Sequence, residues 1–280
     1  MKPSYAADIS SVYSSAGAVL SLPELIAEGL KTQFKVSDSS SLYIFATGPT
    51  SVAAQFIADA SNKYPYRVIS VVDSRVPGWI GEKDDVLIIS YSGNTPKITE
   101  IYDELRQSRC RIRCMTSGGI LADMCRQNGT ETIYLPEDLD PRTAVGLEIG
   151  ITASLLKSFG YSHIYDMLDS FIAPLKSYRD SLLADPSRVN EVAKELSGNI
   201  PAVYSVVDSV AAAKRWKLSI DEDVRSPAFY GEIPEFDHNE LVGWADENAH
   251  AKSLRIVVLM LRSEYEQYKK VMDCMLAVLE

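Results

Sequence analysis

The stretch that decides the fold is DVLIISYSGNTPKITEIYDELRQ, residues 85–107. It begins with an apolar run, residues 85–92, that predicts a buried strand. The apolar residues that follow are spaced as one face of a helix: Ile98, Ile101, Tyr102 and Leu105. A buried strand that leads through a short loop into an amphipathic helix is typical of a parallel sheet with helices on both faces.

The same alternation of strand and helix extends on both sides of this stretch. Apolar runs predict four more strands, at residues 41–48, 66–73, 111–117 and 131–136. Together they predict a doubly wound domain with a five-stranded parallel sheet. A weaker series follows, in which strands are predicted only at 202–207 and 253–261, so a second domain is expected to be shortened.

The expected fold class is therefore α/β, with two doubly wound parallel-sheet domains in one chain. Residues 1–40 are expected to form an N-terminal helical segment, and residues 41–157 the first domain. Residues 158–195, where two helical periods meet at Pro186, are expected to form a helical bridge to a second domain at residues 196–280.

The acidic composition limits the classes of ligand. The 280 residues carry 38 acids against 28 bases, a formal net charge of −10, which argues against a general nucleic-acid binder. A small anion remains possible, because a local cluster of amides and hydroxyls can bind one. No apolar run is long enough for a membrane span, and the N-terminus lacks a signal pattern, which predicts a soluble, cytoplasmic protein.

The cysteine pattern predicts reduced thiols, with no metal site. Cys110, Cys114, Cys125 and Cys274 lack the paired spacing of a zinc site, and the histidines lie far from them in the sequence. Free thiols fit a reducing, cytoplasmic compartment.

Residues 90–96, SYSGNTP, predict an anion site between a strand and a helix. Thr95 is placed to be the N-cap and Pro96 the first helical residue, where its missing N–H costs nothing. The hydroxyls of Ser90, Ser92 and Thr95 and the free amides of the helix end predict a phosphate cradle that needs no lysine. The alternative interpretation is an ordinary capped turn between a strand and a helix.

These residues, with three further motifs, resemble a known family. SYSGNT is followed by TSGG (116–119), PRTAVG (141–146) and FYGEIPEFDHNELVGW (229–244). The combination resembles the bifunctional phosphoglucose/phosphomannose isomerases, over roughly residues 40–260. The resemblance implies two flavodoxin-like sugar isomerase (SIS) domains. It also implies interconversion of glucose 6-phosphate or mannose 6-phosphate with fructose 6-phosphate through an enediol, without metal or organic cofactor.

The resemblance also assigns roles to single residues. Ser90, Ser92 and Thr95 would hold the phosphate, and Thr50 keeps a hydroxyl near a serine of the family's first glycine-rich turn. Arg142 would stabilise the charge of the enediolate.

Two further assignments fall in the second half of the chain. Glu222, within an acidic run in which crowding of like charges is expected to raise one pKa, would be the general base. His238, with Asp237 and Glu240 expected to orient or charge it, would open the sugar ring. It would do so in the active site of the neighbouring subunit, which implies a homodimer.

Two departures from the family pattern keep a second function open. Pro49 stands in the first turn, where it removes an amide that would face the phosphate. The family continues past residue 280 to a C-terminal lysine, and neither Lys269 nor Lys270 is at the matching place. The alternative to an isomerase is a non-catalytic phosphosugar-binding protein, regulatory or degenerate. A phosphosugar-responsive transcription regulator is disfavoured, because residues 1–40 contain too few bases for a DNA-binding module.

Overall fold

A computed structural model describes residues 15–72, 75–244, 253–262 and 265–279. Parts of three predictions lie outside these residues: the first fourteen residues of the N-terminal segment, the end of the strand predicted at 66–73, and residues 245–252, 263–264 and 280 of the predicted second domain. The chain divides into two compact units, Met1–Arg179 and Asp180–Glu280. No helix within the described residues is long and apolar enough to cross a membrane.

The first unit contains five strands and seven helices among its described residues. The strands are β1 (Ser41–Ala46), β2 (Arg67–Val71), β3 (Asp85–Ile89), β4 (Arg111–Thr116) and β5 (Glu131–Tyr134). The helices are α1 (Ser15–Leu20), α2 (Leu22–Gly29), α3 (Thr50–Ser61), α4 (Pro96–Leu105), α5 (Gly119–Asn128), α6 (Val145–Ser158) and α7 (His163–Ala184), which crosses the division between the units.

The sheet of the first unit has the order β2-β1-β3-β4-β5, and every neighbouring pair is parallel. All residues of β1 and β3 are buried, as expected of strands with helices on both faces. The predicted face of α4 is also buried, since Ile98, Ile101, Tyr102 and Leu105 are at most 1% exposed. The predicted parallel α/β architecture is therefore confirmed.

The amino edge of this sheet is closed by charge pairs and hydrogen bonds. Asp85, fully buried at the start of β3, is ion-paired with Arg111 at 2.7 Å and with Arg113. Beside it, the hydroxyls of Tyr66 and Ser39 are 2.7 Å apart. This edge holds the strands together and leaves the opposite, carboxyl edge for ligands.

Helices α2 and α6 pack main chain against main chain through glycines. A Cβ atom added at Gly150 would lie 2.3 Å from the carbonyl oxygen of Ile26. One added at Gly29 would lie 2.5 Å from that of Leu147. Ser154 donates a hydrogen bond from α6 to the carbonyl oxygen of Leu30 at 3.1 Å. The two helices therefore approach too closely to accept any side chain at the crossing.

The second unit has three described strands. They are β6 (Ile200–Val206), β7 (Phe229–Ile233) and β8 (Leu254–Leu259), all parallel in the order β7-β6-β8. Its helices are α8 (Ser187–Leu196), α9 (Val210–Ser219), α10 (Glu235–His238), α11 (Glu240–Trp244) and α12 (Tyr265–Leu279), with a 3-10 turn at Val207–Ser209 and a π-helical turn at Ile220–Val224. The sequence predicted only two of these strands, because Gly231 and Glu232 interrupt the apolar pattern of β7.

Candidate functional site

The carboxyl edge of the five-stranded sheet presents the loops that the sequence singled out. Strand β1 lies between β2 and β3, so the direction of chain winding reverses between β1 and β3. Open parallel sheets bind their ligands at this switch point, outside the carboxyl ends of the strands. The loop that follows β3, residues 90–95, is the predicted cradle and lies at this point.

The cradle begins α4 where the sequence predicted it. Pro96 is the first residue of the helix and Thr95 occupies the N-cap position, but the Thr95 side chain makes no capping hydrogen bond. The expected capping role of this hydroxyl is therefore wrong, because the helix end does not use it. Ser90 is buried and Ser92 is exposed, so the predicted phosphate-binding hydroxyls follow one another along a single loop.

The TSGG segment that follows β4 packs directly against the cradle. Gly93 has φ +66°, and a Cβ atom there would lie 1.9 Å from the carbonyl oxygen of Gly118. Gly119 has φ +72°, and its Cβ would lie 2.3 Å from the carbonyl oxygen of Ser92. Only glycine has both the freedom and the space for this contact.

Hydrogen bonds join the same two loops. Asn94 Oδ1 accepts a 3.1 Å bond from the backbone N–H of Ile120, in the first turn of α5. The N–H of Leu121 donates to the carbonyl oxygen of Gly93 at 2.9 Å. The cradle is therefore a fixed loop, braced by its neighbour on the sheet.

Tyr91 is a site residue that the sequence reasoning missed. Its hydroxyl donates a 2.5 Å hydrogen bond to the carbonyl oxygen of Pro136, which follows β5. Burial raises the pKa of this phenol to about 12, and the charges of Asp138 and Asp140 act in the same direction. A large aromatic residue between two cradle serines is the only signal of this in the sequence.

Arg142 lies in the loop between β5 and α6 and is oriented by Asp140. Arg142 Nε donates to Asp140 Oδ1 at 2.8 Å, and Nη2 donates to Oδ2 at 2.6 Å. The backbone N–H of Arg142 also donates to Asp140 Oδ1, at 2.8 Å. This bidentate pair fixes the plane of the guanidinium, while 29% of the Arg142 side chain stays exposed.

Thr50 is the first residue of α3 and directly follows the turn after the neighbouring strand β1. It is buried, and its hydroxyl donates a 2.9 Å hydrogen bond to the carbonyl oxygen of Thr47. Pro49 is the N-cap residue and contributes no N–H to this end of the helix. The proton that Thr50 was expected to offer to a phosphate is thus used within its own turn.

The predicted base lies in the second unit, in the π-helical turn after α9. The acidic run does not act as one group, because Asp221 is ion-paired with Lys217 and accepts a 2.9 Å bond from the N–H of Ala228. Glu222 is exposed beside it. Single π-helical turns are frequent at functional sites, and no pattern in the sequence predicted this one.

His238 ends α10, after β7, and is exposed. Burial raises the pKa of the neighbouring Asp237, and the charge of His238 opposes that shift. Glu240 does not serve His238 as expected, because its Oε2 accepts the hydroxyl of Tyr204 from strand β6. Asp237 is therefore the carboxyl group that interacts with this histidine.

The first unit thus brings the cradle hydroxyls and the Arg142 loop to one edge of its sheet, and the second unit carries Glu222 and His238. No group of three or more His, Cys, Asp or Glu side chains within the described residues has the arrangement of a metal site. The roles that the resemblance assigns to these residues stay predictions.

Sequence comparisons identify relatives along most of the chain. Residues 187–280 match the model of the bacterial phospho-glucose isomerase C-terminal SIS domain. A bifunctional phosphoglucose/phosphomannose isomerase from Aquifex aeolicus is 29% identical over 78% of this chain, which spans 64% of that relative's length. One from Caldicellulosiruptor bescii is 25% identical over 88% of this chain and 76% of the relative.

Solved structures share the fold over nearly the whole chain. The C-terminal domain of glucosamine-fructose-6-phosphate aminotransferase from Francisella tularensis superposes with a TM-score of 0.71 at 13% identity. The match covers 97% of this chain and 83% of that one. Over most of its length the chain is therefore similar to the bifunctional phosphoglucose/phosphomannose isomerases, and it has the parallel α/β fold of the SIS domains.

Proposed function

We propose that the protein is an aldose–ketose isomerase that interconverts glucose 6-phosphate, mannose 6-phosphate or both with fructose 6-phosphate. The observation that carries the proposal is the loop at residues 90–95. It presents three hydroxyls at the start of a ten-residue helix, and the helix does not use the Thr95 hydroxyl for its own cap. Helix N-termini favour anions, and a sugar phosphate supplies one.

In this proposal Ser90, Ser92 and Thr95 bind the phosphate. Thr50 contributes only after its hydroxyl rotates away from the carbonyl oxygen of Thr47, since a phosphate dianion accepts hydrogen bonds and has none to donate. Arg142 lies beside the sugar oxygens, where its guanidinium, oriented by Asp140, stabilises the negative charge of the enediolate.

Glu222 is the proposed base. Its carboxylate takes the proton from C2 of the open-chain aldose, which leaves an enediolate, and then returns the proton to C1, while a proton moves from O2 to O1. The net reaction moves hydrogen within one molecule and needs no oxidant or organic cofactor. His238 assists the earlier step, ring opening: it gives a proton to the ring oxygen and takes one from the anomeric hydroxyl, as the bond from C1 to the ring oxygen breaks and the C1=O1 double bond forms.

The deciding experiment is a coupled assay of the purified protein with each hexose 6-phosphate. Glu222→Gln is expected to abolish isomerisation and leave phosphosugar binding nearly unchanged, because the carboxylate moves a proton and does not anchor the substrate. Asp223→Asn, a change in the same acidic run, is the matched control and is expected to remain active. Equal loss of activity in both variants would remove Glu222 from the role of base.

We also propose a homodimer in which His238 serves the active site of the partner copy. Its exposure at the end of α10 supports this. The test mixes two inactive variants, Glu222→Gln and His238→Ala, after joint refolding. Exchange across the dimer restores about a quarter of the wild-type activity, because half of the dimers are mixed and each holds one intact site. No restored activity would place His238 in the active site of its own chain.

In a second candidate function, the protein binds a phosphosugar in the cradle and does not catalyse its isomerisation. Pro49 and the engaged hydroxyl of Thr50 favour a non-catalytic phosphosugar-binding protein, because both remove donors from the turn after β1. Under this alternative the wild-type protein binds hexose 6-phosphates in calorimetry and shows no turnover in the coupled assay. A cytoplasmic location belongs to either proposal, supported by the four free cysteines.

A further inference from the structure

Tyr91 is fixed at its backbone between the two serines of the cradle. Its carbonyl oxygen accepts two hydrogen bonds of 2.8 Å from Ser117, one from the backbone N–H and one from the hydroxyl. The side chain itself is 8% exposed. The backbone of Tyr91 is therefore held in place by Ser117, directly after β4, and its aromatic ring extends from this fixed point.

At its far end the same side chain holds the loop that carries Arg142. The Tyr91 hydroxyl donates its 2.5 Å bond to the carbonyl oxygen of Pro136, where the loop leaves β5. Leu135, just before, donates its N–H to the carbonyl oxygen of Thr116 at 2.9 Å. From Pro136 the chain passes the buried Leu139 and reaches the bidentate pair of Asp140 and Arg142.

The Tyr91 phenol can donate its hydrogen bond to Pro136 over a wide pH range. Burial, together with the negative charges of Asp138 and Asp140 on the same loop, raises its pKa to about 12, so the hydroxyl keeps its proton at physiological pH. A hydrogen bond to the backbone at Leu139 works in the opposite direction. The group therefore stays a donor to the loop throughout the working pH range.

We propose that Tyr91 is a positioning residue, which sets the distance between the phosphate cradle and the guanidinium of Arg142. The inference rests on the proposed function, because the distance between the cradle and Arg142 matters only if both contact one substrate. In that case the cradle binds the phosphate end of the sugar phosphate, and the negative charge of the enediolate develops at the other end. Isomerisation requires both contacts at once, and a small displacement of either group lowers the rate of reaction more than it weakens binding.

The first test needs no activity. Tyr91→Phe keeps the ring and removes only the hydroxyl, and hydrogen exchange then reports on the loop at the amides of Thr143 and Ala144, which donate to the carbonyl oxygen of Asp140. We expect their exchange to accelerate about tenfold, while Ser117, bonded to the Tyr91 backbone, keeps its protection. The control is Tyr66→Phe, which loses a part-buried hydroxyl contact with Ser39 at the opposite edge of the sheet. Unchanged exchange at Thr143 and Ala144, or equal acceleration in both variants, overturns the proposal.

The second test separates positioning from binding. In Tyr91→Phe we expect kcat to fall at least about tenfold, while KM and the affinity for inorganic phosphate in calorimetry change less than about twofold. Loss of phosphate affinity, or an unchanged kcat with a loosened loop, overturns the positioning role. If the wild-type protein shows no turnover, the proposed function fails, and the exchange and phosphate measurements still decide whether Tyr91 links the cradle to the loop.

Discussion

The side chain of Asn94 caps the helix that follows the next strand: its Oδ1 accepts a 3.1 Å hydrogen bond from the N–H of Ile120. Both residues lie in loops at the carboxyl edge of the sheet. The amide oxygen thus satisfies one of the unpaired N–H groups at the start of α5 and leaves the start of α4 for an anion.

Removing this contact is expected to affect both stability and ligand binding. Asn94→Ala leaves the N–H of Ile120 without its protein acceptor and should lower the free energy of unfolding by about 1 kcal/mol in urea titrations. Hexose phosphate affinity, measured by calorimetry, should also fall, because the cradle loses a brace. The control is Asn128→Ala, which removes a 2.7 Å bond to the carbonyl oxygen of Met124 on α5 and should leave affinity unchanged.

Two glycines with the same backbone φ allow the cost of backbone strain to be measured apart from the cost of a steric clash. Gly93 and Gly129 both have φ +66°, but only Gly93 has a neighbour within contact distance of an added Cβ. Gly129→Ala should cost about 1 kcal/mol of stability, the strain of a left-handed alanine. Gly93→Ala should cost at least about 3 kcal/mol and abolish phosphate binding, since the loops must separate. Similar losses in urea unfolding for the two variants would contradict the tight contact with Gly118.

Thr95→Ala distinguishes a ligand-binding hydroxyl from a helix cap. Because the hydroxyl makes no capping bond, the free energy of unfolding should change by less than about 0.5 kcal/mol. Binding of hexose phosphate should weaken by about 1–2 kcal/mol in calorimetry, through the lost contact. Thr99→Ala, whose hydroxyl bonds to the carbonyl oxygen of Pro96, should leave the affinity unchanged. A destabilised Thr95→Ala protein with normal affinity would show that the hydroxyl is a cap.

Tyr91 makes the stability depend on alkaline pH. Its phenol ionises near 10 in the unfolded chain and near 12 in the folded one. Its stabilising effect is therefore complete below pH 10 and is lost as the pH rises through 12. The gap in unfolding free energy between wild type and Tyr91→Phe should narrow by roughly 1–3 kcal/mol between about pH 9 and pH 12. Urea titrations at stepped pH measure it, and a constant gap would contradict the raised pKa.

The sequence predicted the architecture because its central strands are buried on both faces. β1 and β3 are apolar throughout, and the helix after β3 carries its buried face at regular spacing. Strand β7 was missed for the opposite reason: most of its residues are exposed, so burial imposes no apolar pattern on it.

The candidate site was predictable in its positions and less so in its contacts. The loop, the first helical proline and the N-cap position followed from local rules at residues 90–96. The engaged hydroxyl of Thr50 and the bond from Tyr91 to Pro136 depend on rotamers and on chain segments brought together by the sheet. Asp140 could have been found, since an aspartate two residues before an arginine commonly bonds to the backbone amide of that residue.

The glycine crossing of α2 and α6 restricts how this protein can be divided or diversified. Because the carbonyl oxygen of Ile26 in α2 lies 2.3 Å from where a Cβ atom on Gly150 would be, a substitution there separates the two helices instead of filling a gap. If the chain were cut between α2 and β1, α6 would keep a groove that fits the main chain of α2. We expect helix α2, supplied as a separate peptide, to bind in that groove. Helix α2 thus fits closely against the surface of α6, and only glycine is accepted where the main chains of the two helices touch.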